Sequence, residues 1–160
     1  MIPTYRKSDH KIDYLIKKFR DPAFDDYARS HIANYTCVLI SGLIESAIRE
    51  IISAYCNRKA APLVSNFAGS RLERFQNPDP ESVLQLLASF DQALADRIDA
   101  QWAGEIKDAL GSVVGNRHLI AHGRDTSLTL VRVSEWFQAA RRFIRMLEEE
   151  FVDQLDRKIP

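Results

Sequence analysis

From Asp25 to about Asn57 the chain contains no proline and a single glycine, Gly42. No other feature constrains the fold as strongly. Proline interrupts helices by removing a donor and clashing with the preceding turn, so a run of this length without one predicts a continuous central helix. Tyr35, Leu39, Gly42 and Ser46 form one row at helical spacing, and Ile40, Leu43, Ala47 and Ile51 a second. Two such rows imply a helix touched on more than one side. Gly42 and Ser46, one turn apart, let a neighbouring backbone come close.

The remaining segments also read as helices. Ile12, Leu15, Ile16 and Phe19 recur at i, i+3, i+4 and i+7, predicting a first helix over about 6–19 that Asp21-Pro22 stops. Pro62 suits the first turn of a third helix carrying Val64, Phe67, Ala68, Leu72 and Phe75. Asn77-Pro78-Asp79-Pro80 makes a turn, with Asp79 as N-cap and Pro80 at the first helical position of the next stripe, Val83, Leu84, Leu86, Leu87 and Phe90. Asp91 is placed to cap a further piece through Leu94 and Ile98, and no signal marks a boundary between Asp99 and Gly104. Another helix, over about 104–122, turns Ile106, Leu110, Val113, Val114 and Arg117 to one side, offers Gly111 and Gly115 as a second close-approach surface, and ends at His122-Gly123. Val133, Trp136, Phe137, Ala140, Phe143, Ile144, Leu147 and Phe151 specify a last long helix. Only Thr126 to Val131 resembles a strand. The expected fold is an all-α, single-domain antiparallel bundle of about five to six helices spanning residues 1–160.

Charge limits the functions open to such a bundle. The 160 residues carry 22 Lys and Arg against 22 Asp and Glu, so there is no global basic surplus to hold a polyanion. The charge is nevertheless uneven. Arg6, Lys7, Lys11, Lys17, Lys18 and Arg20 face only Asp9 and Asp13 in residues 1–20, while residues 61–103 sum to minus three. Near the C-terminus Arg141, Arg142 and Arg145 precede Glu148, Glu149, Glu150, Asp153 and Asp156. Such runs usually mark a solvated helix face, with contact to a polyanion as the competing reading.

Cys37 and Cys56, with no C-x-x-C, exclude a disulfide scaffold or zinc ribbon and are expected reduced in the interior. The opening Met-Ile-Pro-Thr-Tyr-Arg-Lys lacks the apolar core of a signal peptide, and no stretch approaches the roughly 18 apolar residues of a membrane span. A cytoplasmic location without a membrane partner is therefore expected.

Chemistry concentrates in Asn116-Arg117-His118-Leu119-Ile120-Ala121-His122. A cation at the end of an otherwise apolar helix needs a partner: a carboxylate, a phosphate or another subunit. Four readings compete. Arg117 pairs with Glu45 while the histidines are satisfied interior residues. His118 and His122, four apart, hold a metal, although Arg117 repels a cation and no Glu follows the first His as in H-E-x-x-H. A histidine serves a Ser or Cys nucleophile, for which no G-x-S-x-G signature exists. Or the site acts on phosphodiesters, an imidazole moving a proton near neutral pH and a guanidinium gripping phosphate.

Arg117 to His122 resembles the R-x4-6-H motif of the HEPN superfamily. The stretches Arg74-Phe75-Gln76-Asn77-Pro78, Val83 through Asp91, Leu39 through Ser46, and Ala121-His122-Gly123 followed by Ser127-Leu128-Thr129 resemble the RiboL-PSP branch. The likeness runs from about residue 33 to 151, with the first helix least covered. It implies a helical RNA-cleaving or RNA-binding domain that forms a homodimer with motif helices face to face. It also implies a metal-independent endoribonuclease reaction without cofactor, in which the 2′-hydroxyl attacks the neighbouring phosphate. Arg117 and His122 would be catalytic, His118 a second polar group in the cleft and Asn116 a nearby donor.

Helical geometry adds a demand of its own. Five residues at 100° each put Arg117 and His122 roughly 140° apart, so one compact site needs a distorted last turn or a second subunit, and a two-fold axis supplies the latter. Glu45 either neutralises and orients Arg117 or tunes His118 or His122 by stabilising an imidazolium. Arg141, Arg142 and Arg145 flank the groove as RNA-backbone contacts or stay a solvated face. Trp102 and Trp136 are expected in the core. Two functions follow: an endoribonuclease serving as a toxin or antiviral defence protein, or a non-catalytic module that dimerises and binds RNA or a partner such as a nucleotidyltransferase antitoxin or other co-encoded defence protein.

Overall fold

The computed structural model describes residues 2–102 and 104–152; the acidic Asp153 and Asp156 lie outside them. Seven helices make up the described chain, α1 (Thr4–Phe19), α2 (Asp26–Lys59), α3 (Pro62–Glu73), α4 (Pro80–Phe90), α5 (Gln92–Gln101), α6 (Gly104–Ala121) and α7 (Leu130–Phe151), with no strand among the described residues. The expected five to six was low. Asp91 explains the extra break, because its extended backbone (φ −161°, ψ 122°) interrupts the apolar run while its side chain accepts from Ala93 N–H and starts α5. The strand-like Thr126 to Val131 instead delivers Thr129, whose hydroxyl accepts from Arg132 N–H as the N-cap of α7.

α2 packs against α1, α3, α6 and α7, and α6 packs against α7. α1 and α7 are antiparallel: Arg6 at the start of α1 meets Glu148 near the end of α7, and Arg20 just past α1 donates to Ser134 near the start of α7. Ile40, Leu43, Ala47 and Ile51 are buried, joined by Ala33, Cys37, Ile44, Ile48 and Ile52. The other row anticipated on this helix is only partly covered: Leu39 and Ser46 are half-buried, whereas Tyr35 and Gly42 are exposed. Tyr35 is 44% exposed, meeting α1 through Lys11, which donates to its hydroxyl at 2.9 Å, and a side chain placed on Gly42 would meet nothing within 4 Å. Gly111 does receive a neighbour, the Pro80 ring at 3.8 Å from a virtual Cβ, whereas Gly115 does not.

α3 corrects a second expectation. Ala68 and Leu72 are buried as its core contacts, but Val64 and Phe67 are 58% and 69% exposed. A short helix laid on α2 alone buries a narrow stripe, and its neighbouring positions remain in solvent. Trp102 is buried against Phe143, its indole N–H on Asp99, while Trp136 is half-buried. Cys37 and Cys56 are free and buried, and burial pushes the Cys37 thiol up to about 12. No helix among the described residues is long and apolar enough to cross a membrane.

Candidate active site

The end of α6 is closed by a backbone device that sets the position of both histidines. Gly123 adopts φ 65°, and the N–H groups of Gly123 and Arg124 donate to the carbonyls of Ile120 (3.0 Å) and Leu119 (2.9 Å). This is the Schellman pattern, with glycine in the left-handed position that a Cβ would strain. His122 is consequently the residue at the cap. Its N–H still donates to the His118 carbonyl at 3.2 Å. The His118 and His122 rings meet edge to face with centroids 4.4 Å apart, and both side chains are exposed. They are not the satisfied interior histidines that one reading anticipated.

Arg117 leaves α6 on another side. Half-buried, it donates from Nη1 to Asn77 Oδ1 at 2.7 Å. The backbone N–H of Asn77 in turn donates to Glu45 Oε1 at 3.2 Å. Glu45 therefore orients Arg117 through Asn77, without direct pairing. Asn77 is the sole non-glycine residue with positive φ among the described residues, at 55°, and asparagine tolerates this region better than most side chains. Its carbonyl accepts from Asp79 N–H at 2.8 Å, a three-residue turn around Pro78 that aims the Asn77 side chain at α6. Sequence reasoning passed over Asn77 as a positioning residue. Its available signal was an asparagine in a proline-bounded turn.

Arg117 and the imidazoles do not meet within the chain. Among the described residues no hydrogen bond joins Arg117 to either imidazole, in keeping with their angular separation on the helix. Asn116 bonds back to the Ser112 carbonyl at 2.8 Å. Among the described residues no three His, Cys, Asp or Glu side chains converge as a metal-ligand set.

The arginines of α7 lie elsewhere. Arg141 makes two 2.8 Å bonds to Asp9, reaches Asp13 at 3.4 Å and stacks over Phe137. Arg142 pairs with Glu105 at 2.9 Å, at the opposite end of α6 and about 18 Å along the helix from Arg117. Arg145 is exposed in the cleft between α1 and α7. The structure does not bring these three together with Arg117 and His122.

The bundle thus presents a partly buried arginine and two exposed imidazoles at one helix end. The RiboL-PSP-HEPN family model matches residues 4–153, which includes α1 as well as the stretches whose motifs suggested the likeness. The chain belongs to this family, within the HEPN superfamily. No significant match exists among curated proteins or solved structures.

Proposed function

We propose that the protein is a metal-independent endoribonuclease that works as a homodimer, its site composed from the α6 ends of two protomers. The observation that carries this reading is the state of Arg117: a half-buried guanidinium held by the neutral oxygen of Asn77, its charge uncancelled by a carboxylate, on the same last stretch of α6 as two exposed imidazoles one and five residues further on. Gly115 lies exposed on the same stripe of α6 as His118 and His122 with open space around it, so a second α6 can approach closely there. Two-fold packing then supplies the Arg and His combination that a single helix separates.

The reaction needs no group beyond RNA and these side chains. The 2′-oxygen forms a bond to the adjacent phosphorus and the bond from phosphorus to the 5′-oxygen breaks, leaving a 2′,3′-cyclic phosphate and a 5′-hydroxyl. One His122 accepts the 2′-hydroxyl proton. A second imidazole, His118 or His122 of the partner subunit, gives a proton to the departing 5′-oxygen. Arg117 holds the non-bridging oxygens as their charge grows. The biological setting proposed with it is a cytoplasmic toxin or antiviral defence protein, controlled by an antitoxin or another co-encoded protein.

Purified protein incubated with total RNA and tRNA, with and without EDTA, tests the proposal. The expected products carry cyclic phosphate ends in both conditions, and Arg117→Ala and His122→Ala each abolish them. Uncut RNA, or cutting that survives both substitutions, would sink it. A second reading draws on the missing intraprotomer contact between Arg117 and the imidazoles: a non-catalytic module that binds RNA or a partner protein. Tight RNA binding without turnover, in a dimer that persists in His122→Ala, is the result that reading requires.

A further inference from the structure

Residues 61–103 carry three more acids than bases, yet the groove between the last turn of α3 and the face of α4 has no carboxylate in its lining. Glu73, between the two groove arginines, is exposed without lining the groove, and Glu81 accepts from Gln85 Nε2 at 3.2 Å; other acids of the stretch are engaged elsewhere. Asp79 accepts from Ser82 N–H at the start of α4, Asp91 from Ala93 N–H at the start of α5, and Asp99 pairs with Lys107 and accepts from the Trp102 indole. The groove, about 340 Å³, is walled by Arg71 and Arg74 from α3 and its end, by Gln85 and Ser89 from α4, with Phe75 half-buried between them.

Arg71 and Arg74 are exposed, and neither side chain makes an ion pair or hydrogen bond among the described residues. They stand three apart in sequence, close to one helical turn, which places both guanidiniums on the same rim. Three residues beyond Arg74 comes Asn77, the residue that holds Arg117. A three-residue step spans at most about 11 Å, so the groove opens beside the proposed cleavage site. Two unpaired cations, an aromatic face and side-chain amides along a trough are the elements that hold single-stranded nucleic acid.

We propose that the α3–α4 groove is a binding subsite for single-stranded RNA. Arg71 and Arg74 take phosphates flanking the one on Arg117, Phe75 packs against a base, and the Oε1 of Gln85, whose Nε2 is held by Glu81, meets a base edge. The inference takes its ligand from the ribonuclease reading and deepens it: the substrate strand leaves the site across α3 and α4, where the cations are free, and not along α7, where Arg141 and Arg142 are paired.

The test measures binding separately from cleavage. A fluorescent single-stranded 2′-O-methyl oligoribonucleotide, which lacks the attacking hydroxyl, is titrated by anisotropy over a range of salt against wild type, R71A/R74A and R142A. The expected result is an affinity about tenfold weaker in R71A/R74A, with the slope of log K against log salt smaller by about 1.4, roughly 0.7 for each lost phosphate contact. R142A is expected to match wild type. Equal affinity and slope for wild type and R71A/R74A would overturn the groove while leaving the nuclease reading standing, as would an equal loss in R142A. A change of oligomeric state in R71A/R74A by light scattering would also overturn it, marking the groove as a protein interface. Groove-dependent binding by a protein that cuts no RNA would support the groove and remove the nuclease reading.

Discussion

Two regions of this bundle carry conspicuous arginines, and they use them in opposite ways. Along the seam between α1 and α7, Arg141 is clamped by Asp9 and Asp13 and laid on Phe137, while Arg6 and the Tyr5 hydroxyl share Glu148. At the end of α6, Arg117 has a neutral amide oxygen as its partner, and the carboxylate of Glu45 stands one residue further away, on the backbone of Asn77. The first arrangement cancels charge and ties helices together. The second positions a charge without cancelling it. Availability for a polyanion thus depends on what an arginine is bonded to, and clustering in sequence is a poor guide to it.

The largest expected effect sets these regions directly against each other. Arg117→Ala is expected to reduce RNA cleavage by about 10²–10³-fold, the range for losing a group that meets developing oxyanion charge, with an unchanged thermal midpoint. Arg141→Ala is expected to leave cleavage intact. Rates measured with one RNA substrate, alongside thermal unfolding, check both, and equal losses of activity would erase the distinction. Next comes Asn77, which belongs to the second region alone. Asn77→Gly retains a residue suited to φ 55° but removes the oxygen that holds Arg117; cleavage is expected to fall about tenfold, corresponding to roughly 1.4 kcal/mol of lost positioning, with stability nearly unchanged. Asn77→Ala should lose the same activity and about 1 kcal/mol of stability as well, because its Cβ strains the left-handed backbone. An active Asn77→Gly protein would show that the hydrogen bond does not position Arg117.

The contrast between these regions also separates what local pattern reveals from what it leaves open. Caps are local, and Asp79, Asp91 and Gly123 act where their spacing placed them. The long proline-free run is one helix, extended to Lys59 beyond the anticipated Asn57. Periodicity identifies a face without identifying its cover, so Val64 and Phe67 fit a core stripe yet lie in solvent. Partners far apart in the chain were not legible. Arg141 and Asp9 are 132 residues apart and Arg117 and Asn77 are 40 apart, and neither pairing follows from a helical period. The motif residues were legible by chemistry, whereas the turn that aims one of them emerged only with the fold.

Stability measurements sharpen the other half of the comparison. Arg141→Ala is expected to cost about 1–2 kcal/mol in denaturant unfolding, above the usual surface ion pair because its contact with Asp9 is two-pronged and partly buried and its plane stacks on Phe137. Arg141→Lys keeps the charge but not the fork, and should recover only part of that loss. If Arg141→Ala is neutral, the seam is a solvated surface and its difference from the α6 end is one of location alone.

The smallest effect lies in the same seam and is read by pH. Burial, followed by the hydrogen bond to Glu148, raises the Tyr5 hydroxyl from its ordinary 10.0 to about 12. A folded-state value above the unfolded one means that the native protein holds this proton more tightly, so its contribution is complete below pH 10 and disappears as pH rises toward about 12. Tyr5→Phe has no such proton. It should therefore be less stable than wild type by up to about 1 kcal/mol at neutral pH, and the two curves should converge over that alkaline window. Denaturant midpoints measured across the window check the sign. Parallel curves would place the alkaline loss on another group, whereas convergence would show that the Tyr5–Glu148 bond of the α1–α7 seam helps to hold the bundle together.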